Sequence, residues 1–329
     1  MKIGAVGFGS RTAGVYNEFS KVNPNFEMVA YVDPQPIGKD FAEKNNFFPN
    51  KSYSSLNEML DREKLDMLMI GSPNHLHLDH IKLGLKAGLQ IFVEKPIVNN
   101  LIEERKLLNM ENKFLSKIYV NYNFIFSNVF AEIKKLLVSK NFGEHVYTEI
   151  NSNHGLAFKK TYLDSWRAVS KYGVAELVAV HFLNMIINLF DIKNLEGVKV
   201  SSHNHSGNGK APDTFHIISI NQIKNKFSIL CSYATPFDIS IKIIGTNGII
   251  YYDGKELIFR YPRETYDQNE RFKSPSIKKR KLINHAKEWQ QSISRSLDFF
   301  LDNVLKRQKF SRKNLVKGLL SMNIIIKNL

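Results

Sequence analysis

Cysteine is nearly missing from this chain: Cys231 is the only one in 329 residues. A lone thiol excludes an intrachain disulfide and any cysteine-built metal cluster. Long apolar runs are missing too. Hydrophobic residues make up 43% of the chain, yet no run reaches the roughly 20 residues that a membrane span needs. The N-terminal MKIGAVGFG turns to glycine too early for the apolar core of a signal peptide. There is no internal repeat, and no aromatic-basic repeat of the kind that binds nucleic acid. The expectation is a globular cytoplasmic protein without a membrane partner, long enough for two cores.

Acid is scarce relative to base, 31 Asp and Glu against 46 Lys and Arg, for a net charge of +15. The excess is uneven. From Arg260 onward, 17 basic residues stand against 6 acidic ones, and SIKKRKLINHAKEW is the densest stretch. Such a patch attracts an anionic partner, for example a phosphate or a nucleotide-linked sugar, or it is simply a solvated lysine-rich surface. With no nucleic-acid motif beside it, the second reading is the better one, and nucleic acid is not indicated.

What is present falls into two styles. Over residues 1–121, short apolar runs (KIGAVGFG, FEMVAYVD, LDMLMIGSP, LQIFVEKP, KIYVNYNF) alternate with amphipathic segments such as HLHLDHIKLGLKAGL. That alternation predicts a doubly wound parallel sheet with right-handed crossovers, a Rossmann domain. From residue 122 to 329 the order changes. The helices NVFAEIKKLLVSKNFG and KYGVAELVAVHFLNMIINLF flank the strand EHVYTEINSN. GVKVSSH, TFHIISI, KFSILCSYA, DISIKIIG, GIIYYDG and ELIFRY then follow one another with little helix between. Consecutive strands joined by turns such as GTNG predict a mostly antiparallel open sheet in an α+β domain. Residues 262–281, polar and aperiodic, are expected to be loose. Two amphipathic helices near 284–306 and 311–327 end the chain and are expected to pack back between the domains.

The glycine turn VGFGSRTAG follows a strand and opens a helix. Gly7 allows the tight turn and Gly9 lets the backbone approach a pyrophosphate seated on the helix N-terminus. Phe8, Ser10, Arg11 and Thr12 complete this cofactor-binding turn. Thr12 occupies the third glycine position of the dinucleotide fingerprint, so the match is imperfect. Asp33, ending the second strand, is placed to accept the adenosine ribose hydroxyls and to repel a 2′-phosphate. NAD is therefore favoured over NADP, although Arg11 blurs the preference.

GSPNHLHLDH lies where open α/β sheets bind ligands, at the carboxyl edge of a strand. Ser72, Pro73, Asn74 and His77 are candidate cofactor contacts, with Asn74 also a candidate cap for the next helix. Spacings of two and three do not put His75, His77 and His80 on one helix face, so no metal is expected. In FVEKP, Lys95 is the candidate that orients a substrate hydroxyl and stabilises an alkoxide during hydride transfer, and Glu94 is a candidate tether for a ribose or a backbone group; both are also candidate cofactor contacts. Glu176 and His181 are the two ionisable side chains of the apolar helix, and by residue type alone His181 is as well read as a core histidine satisfied by a backbone carbonyl.

These residues, with NFGEHV, SWR at Ser165–Arg167 and IIGTNGIIYYDG, resemble the Gfo/Idh/MocA oxidoreductases over nearly the whole chain. The resemblance implies an NAD-binding Rossmann domain, a C-terminal α/β domain whose open sheet often mediates dimers or tetramers, and hydride transfer to or from a sugar, an inositol or a nucleotide-linked sugar. It also implies that Lys95 is catalytic and that the helix carrying His181 faces the nicotinamide. His181 is then the candidate proton acceptor; Asn123, Trp166, Arg167 and His181 are candidate substrate contacts, and His154 is a further candidate pocket residue.

The chain departs from the pattern along the helix of His181: Asn184 stands three residues after it where another Asp is common, and the Gly-rich approach is reduced to YGVA. The usual acid four residues before the histidine is Leu177, and Glu176 is one residue out of register, turned about 100° away in a helix. Two other readings follow. One is a glycosidase that retains NAD, oxidising transiently and re-reducing its substrate. The other is a catalytically inactive binder of dinucleotide or sugar that regulates a partner.

Overall fold

In the computed structural model, residues 1–22, 25–49, 51–219 and 226–329 are described. They form two compact units, one of residues 1–123 with 292–323 and the other of residues 124–291 with 324–329.

In the first unit the chain runs β1 (Lys2–Val6), α1 (Ser10–Val22), β2 (Glu27–Val32), α2 (Lys39–Lys44), β3 (Lys51–Ser52), α3 (Leu56–Arg62), β4 (Met67–Ile70), α4 (His77–Lys86), β5 (Gln90–Glu94), α5 (Leu101–Leu108), α6 (Asn112–Leu115) and β6 (Ile118–Asn121). The strands form a six-stranded sheet in the order β3-β2-β1-β4-β5-β6, every recorded pairing parallel. β4 reads Met-Leu-Met-Ile and is buried at every position, as a strand covered on both faces must be. The order reverses between β1 and β4. The loops after these two strands, Gly7–Gly9 and Gly71–Asn74, therefore stand side by side at the carboxyl edge.

The second unit contains α7 (Asn128–Leu137), β7 (His145–Asn153), α8 (Lys160–Leu163), α9 (Val180–Leu189), β8 (Val198–His203), β9 (Thr214–Ser219), β10 (Phe227–Ser232), β11 (Asp238–Gly245), β12 (Ile249–Tyr252), β13 (Glu256–Arg260) and β14 (Ile277–Leu282). Its eight strands are ordered β14-β13-β12-β11-β7-β10-β9-β8. Only β7 and β10 pair in parallel among the described residues, and the other pairings are antiparallel. Inward positions such as Ile150, Ile229, Ile241, Ile243 and Ile250 are fully buried. The end of the run TFHIISI, Ile220, lies outside the described residues. Two long helices, α10 (His285–Leu305) and α11 (Arg312–Asn328), close the chain. The division places His285–Gln291 with the second unit and the rest of α10 with the first.

Two local expectations are corrected. Residues 262–281 are not loose throughout: Tyr266 and Phe272 form a bridge, and β14 pairs with β13 from Glu256–Leu282 to Arg260–Ile277. Ile-Lys-Lys-Arg-Lys-Leu shows no strand-like apolar alternation because charge pairing takes its place. Lys279 and Lys281, two apart on one face, both reach Glu132 of α7 at 3.0 and 2.8 Å, while Arg280 on the other face meets Glu256 at 3.1 Å. Lys281, then Lys279, holds the Glu132 carboxyl below its usual range. Three basic residues of the densest basic stretch are thus paired within the second unit. The second correction concerns Asn74. It lies inside a 3₁₀ turn (Asn74–Leu76), and α4 starts without any side-chain cap.

Candidate active site

The glycine turn is built by mutual exclusion. Gly7 adopts φ +82°, and a Cβ there would lie 2.3 Å from the Ser72 amide nitrogen. Only glycine lets the loops after β1 and β4 touch. Thr12 explains its own departure from the fingerprint. Its hydroxyl donates to the Gly7 carbonyl at 2.6 Å, and a Cβ on Gly71 would come within 2.0 Å of Thr12 Oγ1. The small residue that normally brings helix and strand together has moved from the helix to the facing loop.

Asp33 arrives from the end of β2, half-buried. One carboxylate oxygen accepts the Phe8 amide at 2.6 Å and the other the Gln35 amide at 2.8 Å. It therefore fixes the turn and keeps lone pairs on both oxygens. Phe8 is buried against Tyr31 and Phe48. Ser10 is exposed at the first position of α1.

Arg11 does not turn toward Asp33. Its Nε donates to Glu94 Oε1 at 3.1 Å and its Nη2 to Asn123 Oδ1 at 3.2 Å. Asn121 Nδ2 donates to the same Glu94 oxygen at 2.8 Å, and Ser296 Oγ of α10 donates to Asn121 Oδ1 at 2.9 Å. Asn123 is fully buried, and its Nδ2 donates to Ser292 Oγ at 2.7 Å. Both ends of the Asn123 amide are used internally, so it holds α10 and Arg11 in place instead of presenting a group to substrate. Glu94 likewise anchors this network, ending β5 directly before the half-buried Lys95.

His77 is corrected in the same way. It is 1% exposed, with Nε2 2.8 Å from the Ser72 carbonyl oxygen and Nδ1 2.9 Å from that of Pro96. Burial pushes its pKa down to about 4 against the two carbonyls that raise it. A neutral ring donates to only one of them. His77 clamps the loop after β4 to the loop that follows Lys95 and has no nitrogen left for a cofactor. Ser72 Oγ meets His80 Nδ1 at 2.9 Å, and Pro73 and Asn74 follow it along the same edge.

In the second unit, the helix carrying His181 opens with a π turn over Ala175–Ala179. The wide turn does not bring Glu176 to the ligand side. Glu176 is 2% exposed, and one of its carboxylate oxygens accepts the Tyr172 amide at 3.3 Å. Leu177 and His181 share a pocket of about 340 Å³ with Ser152, His154, His285 and Trp289. Val178, Phe182 and Ala286 complete its lining. Trp289 stands edge-on to His181, centroids 5.3 Å apart, and 6.2 Å from His285. Burial lowers the pKa of both His154 and His285, with the Lys159 charge adding to the effect at His154. Trp166 and Arg167 are not among the lining residues. They stack on each other, guanidinium 5.3 Å from the indole, on a turn where Trp166 is exposed. Sequence reasoning passed over His285 and Trp289, although their spacing of four in HAKEW puts both on one helix face. No group of three or more His, Cys, Asp or Glu among the described residues is placed to hold a metal.

A parallel sheet with a glycine turn at its switch point, joined in one chain to an open sheet that carries a polar-tipped pocket, is the two-domain architecture of dinucleotide-binding proteins. The chain belongs to the Gfo/Idh/MocA family. The model of that oxidoreductase family's NAD-binding Rossmann fold matches residues 1–122, and that of its C-terminal α/β domain matches residues 134–325. An uncharacterized oxidoreductase of Schizosaccharomyces pombe is 23% identical over 222 residues, 66% of this chain and 59% of that one, so this chain spans less than two thirds of that relative's length. The inositol 2-dehydrogenase/D-chiro-inositol 3-dehydrogenase of Lactiplantibacillus plantarum is 21% identical over 308 residues, 90% of this chain and 85% of that one.

Among solved structures, myo-inositol 2-dehydrogenase from Lactobacillus plantarum superposes with a TM-score of 0.78 at 14% identity, covering 100% of this chain and 96% of that one. A levoglucosan dehydrogenase in complex with NADH and levoglucosan gives 0.77 at 16% identity, with the same coverage. These likenesses establish the fold. The family model describes an NAD-binding fold, and the first unit fits that cofactor: a Cβ added at Gly9 would meet nothing within 4 Å, which leaves open space before the N-terminus of the 13-residue α1.

Proposed function

We propose that this protein is an NAD(H)-dependent oxidoreductase acting on a hydroxyl or keto carbon of a sugar or nucleotide-linked sugar. The observation that carries this reading is a pocket lined by His181 in a chain whose other unit is an NAD-binding fold with Lys95 at a strand end. Bound NAD supplies the hydride acceptor. The remaining steps belong to the protein. Gly7, Phe8, Gly9, Ser10 and Thr12 shape the pyrophosphate turn, Asp33 takes the adenosine ribose, and Ser72, Pro73 and Asn74 line the adjoining edge. Arg11, committed to Glu94 and Asn123, offers no cation for a 2′-phosphate. That supports NAD over NADP.

His181 accepts the proton of the reacting hydroxyl, and Lys95 stabilises the oxygen as charge develops on it. With Leu177 in place of an acid, His181 works without a carboxylate four residues before it. The relatives act on inositols, levoglucosan and glucose 6-phosphate by name, which supports a carbohydrate substrate. Following NADH absorbance across a panel of sugars, inositols and UDP-sugars tests the proposal. Turnover of one class, abolished by Lys95→Ala and by His181→Ala, is the expected result. Full turnover in both variants overturns the mechanism. Cofactor retained through purification with no net reduction of added NAD would favour a glycosidase-type cycle instead. Homo-oligomerisation through the second sheet is proposed on family grounds and is checked by light scattering.

A further inference from the structure

The geometry points to His285, with His154, as the residues that read the hydroxyls of an uncharged ring in the second unit's pocket, so that substrates carrying a phosphate or carboxylate on that ring are rejected. This rests on the oxidoreductase reading of the same site. Three histidines, one serine and one tryptophan are the polar lining, and no Lys, Arg, Asp or Glu is among the lining residues. Among the described residues, the ring nitrogens of His154 and His285 make no hydrogen bond, although both rings are partly buried. Each neutral imidazole offers one donor and one acceptor, which is the pattern of an alcohol. A phosphate or carboxylate needs donors only; Lys95 is assigned to the reacting oxygen, and no cation among the lining residues would offset the desolvation of an anion elsewhere on the ring.

The aromatic side agrees. Trp289 lies one helical turn after His285 and edge-on to His181, so it offers the apolar C–H face of a ring something to stack on while imidazoles flank it. A pocket of about 340 Å³ is at the small end for ligand sites and has room for one ring. His285 also offers what Leu177 lacks, a second polar group in a pocket where the helix of His181 presents a leucine. The three rings do not form a metal site among the described residues.

The test uses the full chain loaded with NAD and four probes: myo-inositol, D-glucose, D-glucose 6-phosphate and D-glucuronate. A neutral probe should be oxidised with kcat/KM at least about 100-fold above either anion. His285→Ala should raise KM about tenfold while kcat changes less than about threefold, and His285→Gln, which keeps a donor and an acceptor, should recover most of the loss. His285→Lys should narrow the gap to glucose 6-phosphate. A wild type that prefers the anions, or an unchanged KM in His285→Ala, overturns the inference and leaves the oxidoreductase reading standing. If no probe is oxidised, that reading is what fails. Saturation-transfer NMR of the same holoprotein then decides the inference: binding of a neutral probe that His285→Ala abolishes supports it, and no neutral binding overturns it.

Discussion

Behind Lys95, in the first unit, polar side chains answer one another in a closed chain: Arg11 to Glu94, Glu94 to Asn121, Asn121 to Ser296, and Asn123 to both Arg11 and Ser292. In the second unit, the pocket around His181 sets imidazoles among apolar neighbours, and two of the three keep their ring nitrogens uncommitted among the described residues. The first arrangement suits a ligand that never changes. Its groups are satisfied before anything binds and need no reorganisation. The second suits ligand hydroxyls, which complete hydrogen bonds that the protein leaves open.

The comparison is broken most severely at Lys95. Replacing it with alanine should lower kcat about a thousandfold, while NADH affinity measured by fluorescence changes little. A large loss of NADH binding would mean that Lys95 serves the cofactor and not the reacting oxygen. Next in size is an acid sensitivity built into the first unit. The His77 ring titrates at about 4 when folded, against 6.5 when free, so the unfolded chain takes up the proton first. Stability is full above pH 6.5 and falls as the pH drops toward 4, by up to about 3 kcal/mol from this one ring. His145, also held down to about 4 by burial, adds to the same window. Urea midpoints measured between pH 7 and 4.5 should fall less steeply in His77→Gln than in the wild type. Equal slopes would remove His77 from the account.

Opening the polar chain comes third. Arg11→Ala leaves the Glu94 carboxylate with less compensation and should cost about 2 kcal/mol at neutral pH, read as a lower urea midpoint. A variant as stable as the wild type would show the network to be ornamental. Asp33→Ala should weaken NADH binding about tenfold, and unchanged titration would sink the ribose assignment. The smallest effect sharpens the second unit. Leu177→Asp places a carboxylate in the pocket of His181 and should move the acid limb of the pH–rate profile upward, since a nearby anion favours the imidazolium. An unmoved limb would mean that the base titrating there is not His181.

The fold was legible wherever apolar runs and glycine turns carry it. β1, β2, β4, β5 and β6 follow the runs, and the switch from alternating to consecutive strands marks the second sheet. Charged and polar details were less legible. β14 hides because an edge strand needs no apolar alternation when Lys279 and Lys281 can both reach Glu132. His77 and Asn123 look like ligand contacts in sequence because spacing does not show that their polar atoms are already taken. His285 and Trp289 sit more than a hundred residues from His181, and only the fold of the second unit brings them to one wall. Leu177 was legible as a departure only against the family's pattern, and the structure adds that Glu176 is buried on the Tyr172 amide.

Thr12 and Gly71 carry a consequence for how this chain can change over evolutionary time. The room that Thr12 Oγ1 occupies is the room that a side chain at position 71 would need, so the two sites are epistatic. A lineage returning to the three-glycine fingerprint must shrink position 12 before it can enlarge position 71. The opposite order passes through an intermediate in which a Cβ at position 71 and the Thr12 hydroxyl compete for the same space. The imperfect motif is therefore open to reversal at position 12 and closed to change at position 71 while Thr12 stands.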